Sequence, residues 1–215
     1  MFLQRIGIST LVSVVMVTTA AAEDWDGFYT GVFAGYIQGN ADSQRVGGGG
    51  ESYVELSGSG FGALLGYNHV HEDILIGLES DITIANVGVY DTCQIAPAFD
   101  CGSYLDWYGS VRGRIGMVAD DLLIYGTAGL AYGKGRTTIS PAGPGVSGSA
   151  DILSWGWTAG FGAEYAVAEN IRLKAEYIYT DLGMDTTAIG TISDTNQYEV
   201  NPQHQALKVG VNFGF

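Results

Sequence analysis

The chain has 215 residues, a formal net charge of −14 and only 15% charged residues, against about 25% in an ordinary soluble domain. The acidic balance excludes nucleic acid as a partner. Four prolines beside 33 glycines and 13 tyrosines exclude a proline-rich linker, and the length suits one domain.

Arg5 precedes an apolar run over 6–17, and Ala20, Ala21 and Ala22 supply small residues for cleavage. Residues 1–22 therefore read as a secretory signal peptide and 23–215 as the mature domain. Removing Arg5 leaves 8 Lys+Arg against 23 Asp+Glu, a balance of −15. No later stretch approaches the roughly 18 apolar residues of a spanning helix. A membrane crossing would have to be made by strands.

Eight segments alternate with a period of two. Over 28–37, Phe28, Val32, Ala34 and Tyr36 oppose Tyr29, Gly31, Phe33 and Gly35. Over 58–68, Phe61, Ala63, Leu65 and Tyr67 oppose Gly60, Gly62, Leu64, Gly66 and Asn68. Over 74–87, Ile74, Ile76, Leu78, Ile82 and Ile84 oppose Gly77, Glu79, Asp81 and Thr83. Over 105–118, Leu105, Trp107, Val111, Ile115 and Met117 oppose Ser110, Arg112, Arg114 and Gly116.

The second half repeats the scheme. Leu122, Ile124, Ala128, Leu130 and Tyr132 oppose Tyr125, Thr127, Gly129 and Gly133. Trp155, Trp157, Ala159, Phe161, Ala163 and Tyr165 oppose Gly156, Thr158, Gly160, Gly162 and Glu164. Ile171, Leu173, Ala175, Tyr177 and Tyr179 oppose Arg172, Lys174, Glu176 and Thr180. Finally Leu207, Val209, Val211, Phe213 and Phe215 oppose Lys208, Gly210, Asn212 and Gly214. An apolar face backed by a polar, glycine-rich face suits a wall between lipid and a filled lumen. Strands of about ten residues are long enough to cross a bilayer when tilted.

The connections alternate. Those at 69–73, 119–121 and 167–170 are short, and those at 38–57, 88–104, 135–152 and 181–203 are long. Short periplasmic turns and long extracellular loops are the outer-membrane arrangement. Phe28, Tyr67, Tyr165 and Phe215 then fall at one rim, and Tyr36, Trp107, Tyr132, Trp157 and Tyr179 at the other, as two aromatic girdles.

The same parity places Glu79, Asp81, Arg112, Arg114, Glu164, Arg172, Lys174, Glu176 and Lys208 inside the barrel. Unpaired, they would be costly, so pairing across neighbouring strands is expected. Glu79 and Asp81 are set beside Arg112 and Arg114, and Lys174 and Glu176 between Glu164 and Lys208. Two uses remain open, a salt-bridged plug and a narrow charged channel. Most other acids, including Asp42, Glu55, Asp106 and Asp194, fall in the long connections or turns and form an acidic outer surface, where divalent cations could bridge to anionic lipid. No calcium-loop spacing is present. Export places Cys93 and Cys101, with Pro97 between them, in an oxidising compartment, and an intraloop disulfide is expected. So short a loop would contribute up to ~3 kcal/mol by the chain-entropy model.

Four stretches carry a family resemblance: Trp25-Asp26-Gly27-Phe28-Tyr29-Thr30-Gly31; Trp107-Tyr108-Gly109-Ser110-Val111-Arg112-Gly113-Arg114-Ile115-Gly116; Leu123-Ile124-Tyr125-Gly126-Thr127-Ala128-Gly129-Leu130-Ala131-Tyr132-Gly133; and the terminal Phe215. In these the chain resembles the small outer-membrane β-barrel surface antigens of Gram-negative bacteria, the porin-like group of rhizobia and Brucella. The resemblance spans nearly the whole mature chain and implies an outer-membrane location. It also implies that Val209, Val211, Phe213 and Phe215 form a C-terminal signal read by the barrel assembly machinery.

Other motifs fail on context. Gly58-x-Gly60-x-x-Ala63 lies in a strand with no helix after it. His69-x-His71 with Glu72 and Asp73 sits on a short turn without a further ligand. No spacing joins His69, His71 or His204 to a nucleophile, His204 being placed at the outer rim near Asp106 or serines of the loops. The expectation is an all-β, eight-stranded antiparallel transmembrane barrel, monomeric, without cofactor, metal or enzymatic activity. It would contact outer-membrane lipid and lipopolysaccharide and serve envelope integrity and surface interaction. The alternative is a narrow porin-like channel for ions or small solutes.

Overall fold

A computed structural model describes residues 25–45, 51–92, 99–141, 148–183, 185–186 and 198–215. The signal peptide, Cys93 with its pairing to Cys101, and Asp194 lie outside the described residues.

The strands are β1 Gly27–Arg45, β2 Glu51–His71, β3 Ile74–Thr92, β4 Phe99–Ala119, β5 Leu122–Pro141, β6 Gly148–Ala168, β7 Ile171–Asp181, β8 Asp185–Thr186 and β9 Tyr198–Gly214. All pair antiparallel. Because β1 pairs with both β2 and β9, the sheet closes. The closing seam runs from Tyr29 opposite Gly214 to Arg45 opposite Tyr198. Eight strands form this wall, as the sequence predicts. The two-residue β8 continues β7 past a break at Leu182 and Gly183 and pairs with β9 at Glu199 and Val200. At the break Gly183 takes a φ of +72°, a region open to glycine at no steric cost. Its N–H donates to Asp181 Oδ1 at 2.8 Å.

The wall is inverted relative to a soluble protein. Phe61, Met117 and Trp155 are 63%, 68% and 65% exposed, whereas Glu79 and Arg112 are 2% and 1% exposed. Apolar side chains facing out over charged ones facing in is the pattern of a barrel solvated by hydrocarbon. Both aromatic girdles form. Phe28 packs on Tyr67 and Phe215, with ring centroids at 4.8 and 6.4 Å. At the other rim Trp107, Tyr132 and Trp155 follow one another at 6.1 and 5.4 Å, and Trp157 meets Tyr179 at 5.4 Å.

Two expectations change. Leu105 faces the lumen and is buried, not lipid-facing. The register shifts between Leu105 and Trp107, so Asp106 is the extra residue of a β-bulge that resets the alternation. The long connections, in turn, are largely strand. β1 to β6 run 19 to 21 residues, well beyond the roughly 9–11 that a bilayer requires. Acids assigned to loops, such as Asp42, Glu55 and Asp106, therefore lie on hairpins that carry the sheet outward from the membrane.

The opposite end is tight. Two-residue turns follow β2, β4 and β6, with Glu72 and Asp120 in the left-handed region at φ 56° and 52°. Each turn is tied to the next hairpin: the carbonyls of Asp73, Asp121 and Asn170 accept from the N–H groups of Val118, Ala166 and Gly214 at 2.9, 2.8 and 3.0 Å. Phe215 N–H donates to the Phe28 carbonyl at 3.0 Å and completes the ring. Beside it the Asp26 carboxylate accepts from Val70 N–H at 2.9 Å and lies 3.0 Å from His69 Nδ1. The Val70 bond, helped by His69, holds this carboxyl below the usual carboxylate range.

Inward glycines admit aromatic rings. A Cβ on Gly66 would collide with the Tyr29 ring, and one on Gly62 with Phe33. Lipid-facing Gly113 has room: a Cβ there would come no nearer than 3.9 Å to another residue, at the Ala128 carbonyl oxygen. Gly66→Val is therefore expected to lower stability by about 1–3 kcal/mol through overpacking, while Gly113→Val leaves it nearly unchanged. Urea unfolding of the refolded barrel, followed by heat-modifiable gel mobility, checks both.

Candidate functional site

The lumen is filled in layers. Nearest the tight turns, Trp25, Leu75, Leu123, Tyr125 and Ala166 form a buried apolar cluster. Trp25 precedes β1 and folds into this end. Its indole N–H donates to the Asp120 carbonyl at 3.4 Å, and the Arg172 guanidinium lies 4.7 Å from its ring centre. Toward the other end, Ile37, Leu56, Val87, Leu105, Tyr108, Ala131, Leu182 and Ala206 form a second apolar layer. The charged side chains lie in the barrel between strand faces, and all nine predicted interior charges are buried there.

Glu79 on β3 is the hub. It receives Arg112 at 2.6 Å and Arg114 at 3.2 Å from the adjacent β4, and Lys174 at 2.7 Å from β7 across the lumen. Tyr29 donates its phenol to the same carboxylate at 2.8 Å while accepting from Arg114 at 2.7 Å. Arg112 also pairs with Asp81 at 2.9 Å and Glu176 at 3.3 Å. Arg114 pairs with Glu164 at 2.9 Å. Its guanidinium lies 4.2 Å from the Tyr125 ring centre and 5.3 Å from that of Tyr29. Lys208 reaches Asp81 at 3.3 Å.

The neighbour-strand expectation holds for only part of this set. Glu79 opposes Arg112 in the register and bonds it. Lys174 opposes Glu164, and Lys208 opposes Glu176, yet Lys174 reaches Glu79, Glu164 reaches Arg114 and Lys208 reaches Asp81. In a barrel this narrow, long side chains span the lumen as easily as they reach a neighbour. The sequence also misses the phenols: Tyr29 and Tyr125 supply hydrogen bonds to Glu79 and Glu176 and flat faces to Arg114. Their inward parity is the signal that could reveal them.

The histidines are dispersed. His69 and His71 lie at the end of β2, just before its turn, and are exposed. His204 is buried inside the barrel against the Tyr108 ring at 4.5 Å, not at the rim beside Asp106. Among the described residues no group of three or more His, Cys, Asp or Glu could hold a metal ion. The predicted assembly row, on β9 and the residue after it, faces outward, with Val209, Phe213 and Phe215 exposed and Val211 half-buried.

Removing one member of a buried ion cluster leaves its partners uncompensated. Glu79→Gln is expected to cost about 3–5 kcal/mol, and Glu79→Gln combined with Lys174→Met to recover part of that loss. The urea midpoints of the three refolded proteins test this; an unchanged midpoint for Glu79→Gln is the contrary result.

Residues 7–215 match the outer membrane protein beta-barrel domain family. The chain is 33% identical over 218 residues to the 31 kDa outer-membrane immunogenic protein of Brucella melitensis, covering 92% of this chain and 88% of that one. It is 30% identical over 194 residues to the 22 kDa outer membrane protein of Rhizobium leguminosarum, covering 90% and 80%. The outer membrane protein OprG of Pseudomonas aeruginosa has a similar fold, with a TM-score of 0.59, 12% identity, and coverage of 90% of this chain and 98% of that one. With its closed barrel, inverted wall and full-length relatives, the chain belongs to the outer-membrane protein β-barrel family and is an outer-membrane protein.

Proposed function

We propose that this barrel is a closed, monomeric and non-catalytic component of the outer membrane, serving envelope integrity and surface interaction. The observation that carries the reading is the layered lumen. Trp25 and its apolar neighbours fill one end, Ile37, Leu105 and Leu182 with theirs fill the other, and the Glu79-centred ion cluster lies inside. Ions moving through would have to break charge-assisted bonds of 2.6–3.3 Å and wet two apolar layers.

A non-catalytic role is supported by the burial of His204 inside the barrel against the Tyr108 ring, out of reach of an external substrate. A hydrolase would need nucleophile, base and orienter together. Relatives are named as outer-membrane immunogenic proteins, and the long hairpins carry acidic sheet into the surrounding medium, consistent with a surface role. The outward row of Val209, Val211, Phe213 and Phe215 is the face offered to the assembly machinery.

Single-channel recording tests this reading against the narrow channel. The refolded mature protein in a planar bilayer is expected to stay at baseline current across the voltage range. A variant with Glu79, Arg112 and Arg114 all changed to Ser is expected to give discrete opening steps. Regular steps from the unaltered protein would replace the plug with a pore.

A further inference from the structure

On the outer half of the barrel one side differs from the other. Across β2, β1, β9 and β7 the register sets Ser57, Gln38, Gln205 and Tyr179 in one lateral row. The next row outward is Glu55, Asn40, Gln203 and Asp181. The row just inside them is Ser59, Tyr36, Leu207 and Tyr177, followed by Phe61, Ala34, Val209 and Ala175. The surface thus passes within two outward positions from lipid-facing apolar groups to amides and hydroxyls. Across β5 and β6 the outer positions carry Tyr132 opposite Trp155 and Lys134 opposite Leu153, so the amide rows do not extend to that side.

This flank is concave. A cavity of about 420 Å³ opens there, lined by Gln38, Asn40, Glu55, Ser57, Tyr179 and Gln205 among others. Some of its polar groups are held in place. Tyr177 donates its phenol to the Gln205 carbonyl, which leaves the Gln205 NH₂ as a donor set by its own protein. Tyr179 donates to the Gln203 carbonyl at 3.0 Å, and Gln203 NH₂ donates to Asp181 at 3.4 Å.

The chemistry of the lining selects its ligand. Among the described residues, its outward-facing lining offers amide donors and acceptors, one hydroxyl, one phenol and one carboxylate, and neither Lys nor Arg. A phosphate would find no ammonium or guanidinium among these described groups and would be repelled by Glu55. A group with several neutral hydroxyls can both donate and accept at these side chains, and a sugar ring can lay its C–H face on Tyr179. On the same outward face, the next rows toward the membrane carry exposed Leu207 and Val209, where acyl chains attached to such a sugar would run. We propose that this flank binds the neutral sugar headgroup of a membrane glycolipid.

The test uses the refolded mature protein in phosphatidylcholine nanodiscs, with side-chain amide signals of Gln38 and Gln205 followed by NMR. Doping with a neutral glucosyl diacylglycerol is expected to shift both signals saturably. Free glucose and phosphatidylglycerol at the same concentrations are expected to leave them in place. Gln38→Leu combined with Gln205→Leu should weaken glycolipid retention about tenfold, the loss expected for roughly one or two hydrogen bonds, read by native mass spectrometry. Absence of a shift with the glycolipid, or an equal shift with free glucose or phosphatidylglycerol, overturns the proposal. The wild-type titrations decide the matter even if the double variant fails to insert, and they are independent of whether the lumen conducts.

Discussion

In hydrocarbon no water is present to hydrogen-bond a free backbone N–H or C=O, so a spanning sheet must close on itself. The seam between β1 and β9 meets that requirement here, and much else follows from it. Closure of eight strands leaves an interior only wide enough for side chains. Every inward residue must then fit a neighbour on the far wall as well as one beside it. Gly66 is small because Tyr29 lies against it, and Tyr29 is in turn fixed by Glu79 and Arg114.

The ion cluster is the second consequence of a narrow interior. Glu79, Asp81, Glu164 and Glu176 face Arg112, Arg114, Arg172, Lys174 and Lys208, four carboxylates against five cations. Buried pairs contribute little net stability over an apolar filling, because desolvation offsets much of their attraction. Their effect is better seen in register. Shifting one strand by a single residue would turn its charges into lipid and its apolar row into the lumen. The cross-lumen pairs extend that discrimination to strands that are not neighbours: Lys174 on β7 is matched to Glu79 on β3.

Most of the wall is legible in the sequence because a strand's faces alternate with a fixed period. Parity alone separates Ile82 from Asp81 and Leu173 from Lys174. What parity does not carry is reach. Which cation meets Glu79 depends on how far the strands are staggered around the barrel, a property of the closed ring and of no local segment. The bulge at Asp106 is hidden for a related reason: Leu105 and Trp107 are both large and apolar, so the pattern reads on without a break. The hairpin extensions read as loops because their glycines, serines and acids imitate turn composition, while above the membrane a strand no longer needs an apolar face. The polar flank around Gln38 and Gln205 falls in the same blind region, since it emerges only when four strands are laid side by side.

Trp25 has a consequence for assembly order. It sits immediately before the first strand, yet the groups around it, the Asp120 carbonyl and the Arg172 guanidinium, come from the β4–β5 turn and from β7. Those groups surround one point only after the last strand has met the first. The indole therefore cannot reach its final environment while the sheet is still an open ribbon. Of the four tryptophans in the chain, this one is enclosed by protein, whereas Trp155 and Trp157 face lipid. Its emission would separate the moment of ring closure from the earlier moment of contact with the bilayer.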